Sequence, residues 1–199
     1  YCLNNLGRIA IDEGKFDQAQ AQLAEAQQLF EAADYARGLM LVFTNQGRVL
    51  LRQDRSGQAL PVLRKALEQA KKLRPPTAYH LADMYLVVAQ ANLKHGNLSQ
   101  AKASTEDALS LLEVTGNQDD VAAGQATLAQ INAAEGETST ANTLFQRAIE
   151  QHNKAGNPTA LLDTRLKYAH FLAEQDRVKE AEALEQAARE EAGRLGISW

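Results

Sequence analysis

Three ladders of small residues constrain what this chain can fold into. Gly7, Gly47, Ala89, Ala129 and Ala169 form the first; Ala19, Ala59, Ala101, Ala141 and Ala181 the second; Ala26, Ala66, Ala108, Ala148 and Ala188 the third. Each steps by 40, 42, 40 and 40 residues, so all three share one register. Such a period is the mark of a repeat architecture, in which each unit buries its apolar face only against its neighbours. Helices approach to the low end of roughly 8–10 Å only where the crossing carries small side chains. Each ladder therefore predicts a row of close helix crossings.

The repeating unit is clearest in residues 3–26, LNNLGRIAIDEGKFDQAQAQLAEA, which hold two amphipathic helical patterns around a tight turn. The turn recurs as EGKFDQA, QDRSGQA, HGNLSQA, EGETSTA and QDRVKEA. The first helix of each pair is expected to end at Gly14, Asp54, Gly96, Gly136 or Asp176. Glycine is the usual left-handed helix terminator, and aspartate tolerates that conformation better than most residues. Ten helices follow, paired as five hairpins: near 1–13 and 16–33, 36–53 and 57–73, 77–95 and 98–114, 119–135 and 138–154, 159–175 and 178–195. The repeats run 1–35, 36–76, 77–118, 119–158 and 159–199, as one all-α domain. Gly116, Gly156 and Gly196 end the second helices of the last three. Pro61, in the early turns of its helix, should bend it without breaking it. Pro75 and Pro76 should stop that helix, and they coincide with the 42-residue step.

Leu6-Gly7, Gly14, Phe16, Ala19, Leu23 and Ala26 stand at the spacing of the tetratricopeptide repeat (TPR) family, which the chain resembles over essentially its whole length. The LNNLG opening and the 40–42-residue period resemble the long-helix variant of kinesin light chains and bacterial signalling proteins. The resemblance implies a right-handed superhelical solenoid whose first helices line a concave face, and a role in binding proteins or peptides. Three positions depart from the pattern: Gln46 replaces the apolar residue before the small one, and Thr105 and Glu185 replace a large apolar residue on the second helix. The family's clamp for a C-terminal carboxylate needs a fixed Lys/Asn/Asn/Lys/Arg set. Only Asn45 matches a member; the flanking repeats offer Asn4 and Arg8, and Asp83 and Val87, so that activity is not implied.

Composition excludes several classes. The 199 residues are 45% apolar and 23% charged, with a net charge of −4, which gives no bulk attraction to nucleic acid or anionic lipid. Cys2 is the single cysteine. No internal disulfide can form, which points to a reducing compartment, the cytoplasm; Cys2 itself is expected to be a buried small residue. There is no apolar run long enough to span a bilayer and no signal peptide. No glycine-rich phosphate loop, HExxH, paired-cysteine zinc spacing or GxSxG occurs. His80, His95, His152 and His170 fall in separate repeats, whereas a metal needs convergent ligands. Neither enzyme activity nor a cofactor or metal is expected. Asn97-Leu98-Ser99 reads as turn chemistry. By register helix 1A is short and the last helix is polar, so the sequence reads as the C-terminal piece of a larger protein. Trp199 is expected to fold back as a hydrophobic plug or else to dock a partner.

The remaining signal is a polar ladder on the first helices. Arg8, Arg48, Gln90, Gln130 and His170 share one repeat position, and Asn5, Asn45, Val87, Thr127 and Lys167 lie three residues earlier, on the same helix face. Asparagine and glutamine offer donors and acceptors to a peptide backbone, and arginine offers a fork for carboxylates. Arg52, Lys94 and Lys167 add positive charge. These residues are the candidate partner-binding set, as against a merely solvated face. The expected function is a protein- or peptide-binding scaffold that holds an extended, acidic segment in the concave groove, with self-association through repeat 1 as a further option. The alternative is the C-terminal sensor arm of a larger bacterial signalling ATPase or transcriptional regulator; what lies upstream of Tyr1 separates the two.

Overall fold

The computed structural model describes residues 1–74 and 78–196. Among the described residues ten helices are found: α1 (Cys2–Asp12), α2 (Phe16–Ala32), α3 (Ala36–Arg52), α4 (Ser56–Ala70), α5 (Ala78–Lys94), α6 (Leu98–Thr115), α7 (Gln118–Ala134), α8 (Thr138–Ala155), α9 (Pro158–Glu174) and α10 (Val178–Leu195). No strand occurs among the described residues. The chain divides into two compact units, Tyr1–Leu111 and Leu112–Trp199. In the first unit α1 packs on α2 and α3 on α4, while α1, α3 and α5 also touch in sequence. In the second, α7 packs on α8, α9 on α10, and α7 touches α9.

The ends of the first helices explain the uniform hairpins. Gly14, Asp54, Gly96, Gly136 and Asp176 all adopt left-handed backbone, with φ of +72°, +55°, +84°, +84° and +57°. The next residue's N–H then reaches back five positions to a helix carbonyl, as in Lys15 to Ala10 (2.8 Å), Arg55 to Leu50 (2.8 Å) and Arg177 to Leu172 (2.9 Å). Gly116, Gly156 and Gly196 are likewise left-handed. Asp34 fills that role in the first hairpin at φ +44°, a position the glycine pattern does not reveal.

The small-residue ladders lie at close crossings. A Cβ added to Gly47 would lie 2.5 Å from Leu63 Cδ2, and one added to Gly7 would lie 2.9 Å from Leu23. Every alanine in the three ladders is buried. The helix carrying Pro61 continues through it. α4 stops at Ala70, three residues before the expected end; the chain turns over Lys71 and Lys72, and Leu73 folds into the core. Proline disfavours helical backbone at the residue before it, which pushes the stop back from Arg74. Pro75 and Pro76 themselves lie outside the described residues, as does Trp199.

The departures from the family pattern are accommodated individually. Gln46 Nε2 donates to Gln27 Oε1 on α2 (2.9 Å). Buried Thr105 donates to the Ala101 carbonyl (2.8 Å). Glu185 pairs with Arg189 (3.1 Å). Cys2 corrects the sequence reading: it is exposed. Its register equivalents Val42, Met84 and Thr164 are buried against a preceding hairpin, whereas α1 is the first of the described helices. For the same reason Leu6 and Ile9 are exposed.

In the second unit Phe145 stacks on Tyr168 at 5.2 Å and contacts Phe171 at 5.6 Å. A polar joint ties three helices there. Fully buried His152 sets Nδ1 2.6 Å from Asp119 Oδ1, in the first turn of α7. Asn157 donates to the other Asp119 oxygen while its own Oδ1 accepts the Ala160 N–H, capping α9.

Candidate functional site

The polar rows of the first helices do not share one environment. In the first unit Asn5 and Arg8 are exposed on α1. Asn45, the equivalent of Asn5 on α3, is buried at 3% exposure, and Val87 on α5 is buried too. The earlier row thus turns into the helix interface wherever a preceding first helix packs against it. The later row stays accessible: Arg48 and Gln90 are half-buried, and Arg52 and Lys94 at the helix ends are exposed.

A chain of hydrogen bonds links the rows. Asn45 Nδ2 donates to Asn4 Oδ1 (3.0 Å), and Asn45 Oδ1 accepts from Arg48 Nη1 (2.9 Å). The other guanidinium nitrogen of Arg48 pairs with Asp83 on α5. One asparagine side chain therefore satisfies both its ends and fixes the orientation of Arg48, whose side chain is 25% exposed. Asn4 and Asp83, absent from the candidate set, are the outer members of this network. Their signal was a polar residue on a helix otherwise apolar toward its neighbour. Lys94 pairs with Asp54 and donates to the Leu51 carbonyl (3.2 Å), holding α5 to the end of α3. The Lys94 ammonium, through its hydrogen bond and then its charge, holds the Asp54 carboxyl below the usual carboxylate range. Arg8 and Arg52 have no acidic partner among the described residues.

In the second unit Gln130 is half-buried on α7. Lys167 pairs with Asp163, and exposed His170 lies 3.3 Å from Glu174, both on α9. Thr127 is buried and donates to the Ala123 carbonyl (3.0 Å). Among the described residues no group of three or more His, Cys, Asp or Glu could hold a metal ion, and no helix is long and apolar enough to cross a membrane.

The hairpins, their left-handed turns and the accessible row on the first helices meet an independent observation: residues 2–72 match the tetratricopeptide repeat family model. Residues 2–72 carry tetratricopeptide repeats. Solved structures extend the TPR-like fold over the whole chain. BtubC (BKLC) from P. vanneervenii superposes with a TM-score of 0.70 at 17% identity, covering 99% of this chain and 81% of that one. The nearly identical TPR-like repeats of a putative kinesin light chain from Podosopora anserina give 0.63 at 18% identity, covering 99% and 96%. The apo form of RapI gives 0.64 at 13% identity, and this chain spans about half of it, 53%. At these identities the likeness is one of fold. No curated protein matches the chain.

Proposed function

We propose that this TPR chain is a cytoplasmic, non-catalytic scaffold module that binds an extended, acidic peptide segment along the first helices of its N-terminal unit. The observation that carries the reading is the accessible row itself. Arg8 and Arg52 are exposed without acidic partners, and Arg48 between them is held in place by Asn45 and by its pairing with Asp83. Arginine forks positioned before binding lose little freedom on gripping carboxylates. Asn5 and Gln90 supply donors and acceptors for the peptide backbone, and Lys94 adds charge beside them. Asn45 acts by orienting Arg48. Gln130, Lys167 and His170 offer a similar row on α7 and α9 of the second unit. Self-association through repeat 1 has its own support, because Cys2, Leu6 and Ile9 form an exposed, largely apolar face on α1.

The test is a peptide selected by display against the intact chain and titrated by fluorescence anisotropy. Arg8→Ala and Arg52→Ala should each weaken it roughly tenfold, as truncation of an interface arginine commonly does; Arg189→Ala on α10 should not. Unchanged affinity in both first-helix variants overturns the proposal.

A further inference from the structure

The net charge of −4 conceals a strong segregation. Residues 36–74 hold nine of the chain's 21 Lys and Arg and two of its 25 Asp and Glu. That hairpin is therefore +7, and the rest of the chain is −11. Most of this charge lies on α4 and its end. Arg64 and Lys65 are exposed on α4, and Lys71 and Lys72, seven positions further on in the turn that ends it, are exposed as well. The helix also carries Ala59, Leu63 and Ala66, which are buried.

These cations differ from the ion-paired cations elsewhere on the surface. Lys15, Lys154, Arg177 and Arg189 each meet a nearby carboxylate. Among the described residues none of these four does, although Glu68 lies between them. Lys65 reaches over the Phe43 ring at 5.7 Å and remains exposed. Arg74 donates to the Lys71 and Leu73 carbonyls and so keeps its charge beside the strip. A concentrated field of one sign repels itself unless a partner of the opposite sign compensates it, and it steers such a partner in.

We propose that the outward face of α4 is a second docking surface, separate from the first-helix row, and that its occupant is an acidic polypeptide segment. Nucleic-acid strands held without base reading use aromatic stacking platforms; α4 carries no aromatic residue, and the Phe43 ring beneath Lys65 is buried. Helices that lie on membranes bury an apolar side in lipid, and the apolar side of α4 is occupied by its own hairpin. Glu68 in the middle of the strip opposes a uniformly charged phosphate backbone. A polypeptide can place a neutral or basic residue opposite it. From Arg64 to Lys71, the residue that caps α4, the helical rise is about 10.5 Å, which about three residues of extended chain match.

The experiment titrates a fluorescent oligoglutamate peptide into the intact chain at low ionic strength. The variant is Arg64→Gln, Lys65→Gln, Lys71→Gln and Lys72→Gln together. The control removes the same number of cations elsewhere, through Arg147→Gln, Lys154→Gln, Lys179→Gln and Arg189→Gln. All eight side chains are exposed, and circular dichroism verifies that both proteins are helical. The inference expects affinity to fall roughly tenfold or more in the α4 variant and less than about twofold in the control, with added salt weakening the wild type. Equal losses in both variants would mean net charge alone is read, and would overturn it. So would binding of phosphatidylserine vesicles or oligothymidylate through the same four residues without binding of oligoglutamate. Loss with Arg8→Ala and Arg52→Ala, but not with the α4 variant, would place the acidic segment on the first helices. That result would sink this inference and leave the proposed function standing.

Discussion

Asn45 Nδ2 donates a 3.0 Å hydrogen bond to Asn4 Oδ1, joining α3 to α1 across 41 positions of sequence. The same side chain accepts from Arg48, which reaches Asp83 on α5. Three successive first helices are thus linked by one polar thread at the level of the accessible row. The thread is both a structural joint and the support for an arginine that faces outward.

Asn45→Ala should destabilise the chain by about 1–3 kcal/mol, because it leaves the buried Asn4 oxygen and one side of Arg48 without a partner. Urea denaturation reads this directly, and a midpoint equal to wild type would show that the thread contributes nothing.

The hairpin crossings respond to volume. Gly47→Ala forces a methyl against Leu63, and Ala141→Leu forces a larger group into the Phe145 cluster. Each should lose about 1–3 kcal/mol through overpacking. Leu63→Val in the Gly47→Ala background should recover part of the loss, since the two residues touch. Additive losses in a double-mutant cycle would contradict the crossing as described.

Asp119→Ala removes the acceptor of both His152 and Asn157. Because His152 is buried, the variant should unfold about 1–3 kcal/mol more easily. Amide exchange should quicken first at the start of α7 and of α9. Unaltered exchange at both helix starts would contradict the joint.

Burial holds the His80 imidazole below its ordinary value of 6.5, against the raising effect of Asp83 and with a lowering contribution from Arg37. Its Nδ1 is buried without a hydrogen-bond partner. The unfolded chain therefore takes up the proton at higher pH than the folded one. Stability from this group is present above 6.5 and declines as pH falls toward the folded value. His80→Leu should flatten the decline in unfolding midpoint between about pH 7 and pH 5, with the ordinary histidine pKa as the pivot. An unchanged slope would assign the decline to other groups.

The fold was legible because its causes repeat. Small residues at a fixed period report helix crossings, and glycine or aspartate at a fixed period reports left-handed turns, whichever helix surrounds them. Asp34 escaped because it breaks the glycine series, and the end of α4 escaped because the prolines act on the residues before them. The polar rows were harder to read. Equal sequence spacing placed Asn5 and Asn45 at one repeat position, but α1 is the first of the described helices, whereas α3 has α1 packed before it. One asparagine is therefore exposed and the other buried. Exposure of Cys2 has the same origin. The α4 strip was present in the sequence all along, hidden by summing charge over the chain instead of over each hairpin.

The most direct test of the central claim is a hydrogen-exchange footprint of the display-selected peptide, made on the chain whose four α4 cations have been replaced by glutamine. That background leaves the first-helix row as the basic face to be read in the first unit. Exchange should slow on α1 and α3 around Arg8 and Arg48 to Arg52 when the peptide binds, with α10 unchanged. Protection confined to the second helices α2 and α4, with α1 and α3 exchanging as in the free chain, would contradict the account.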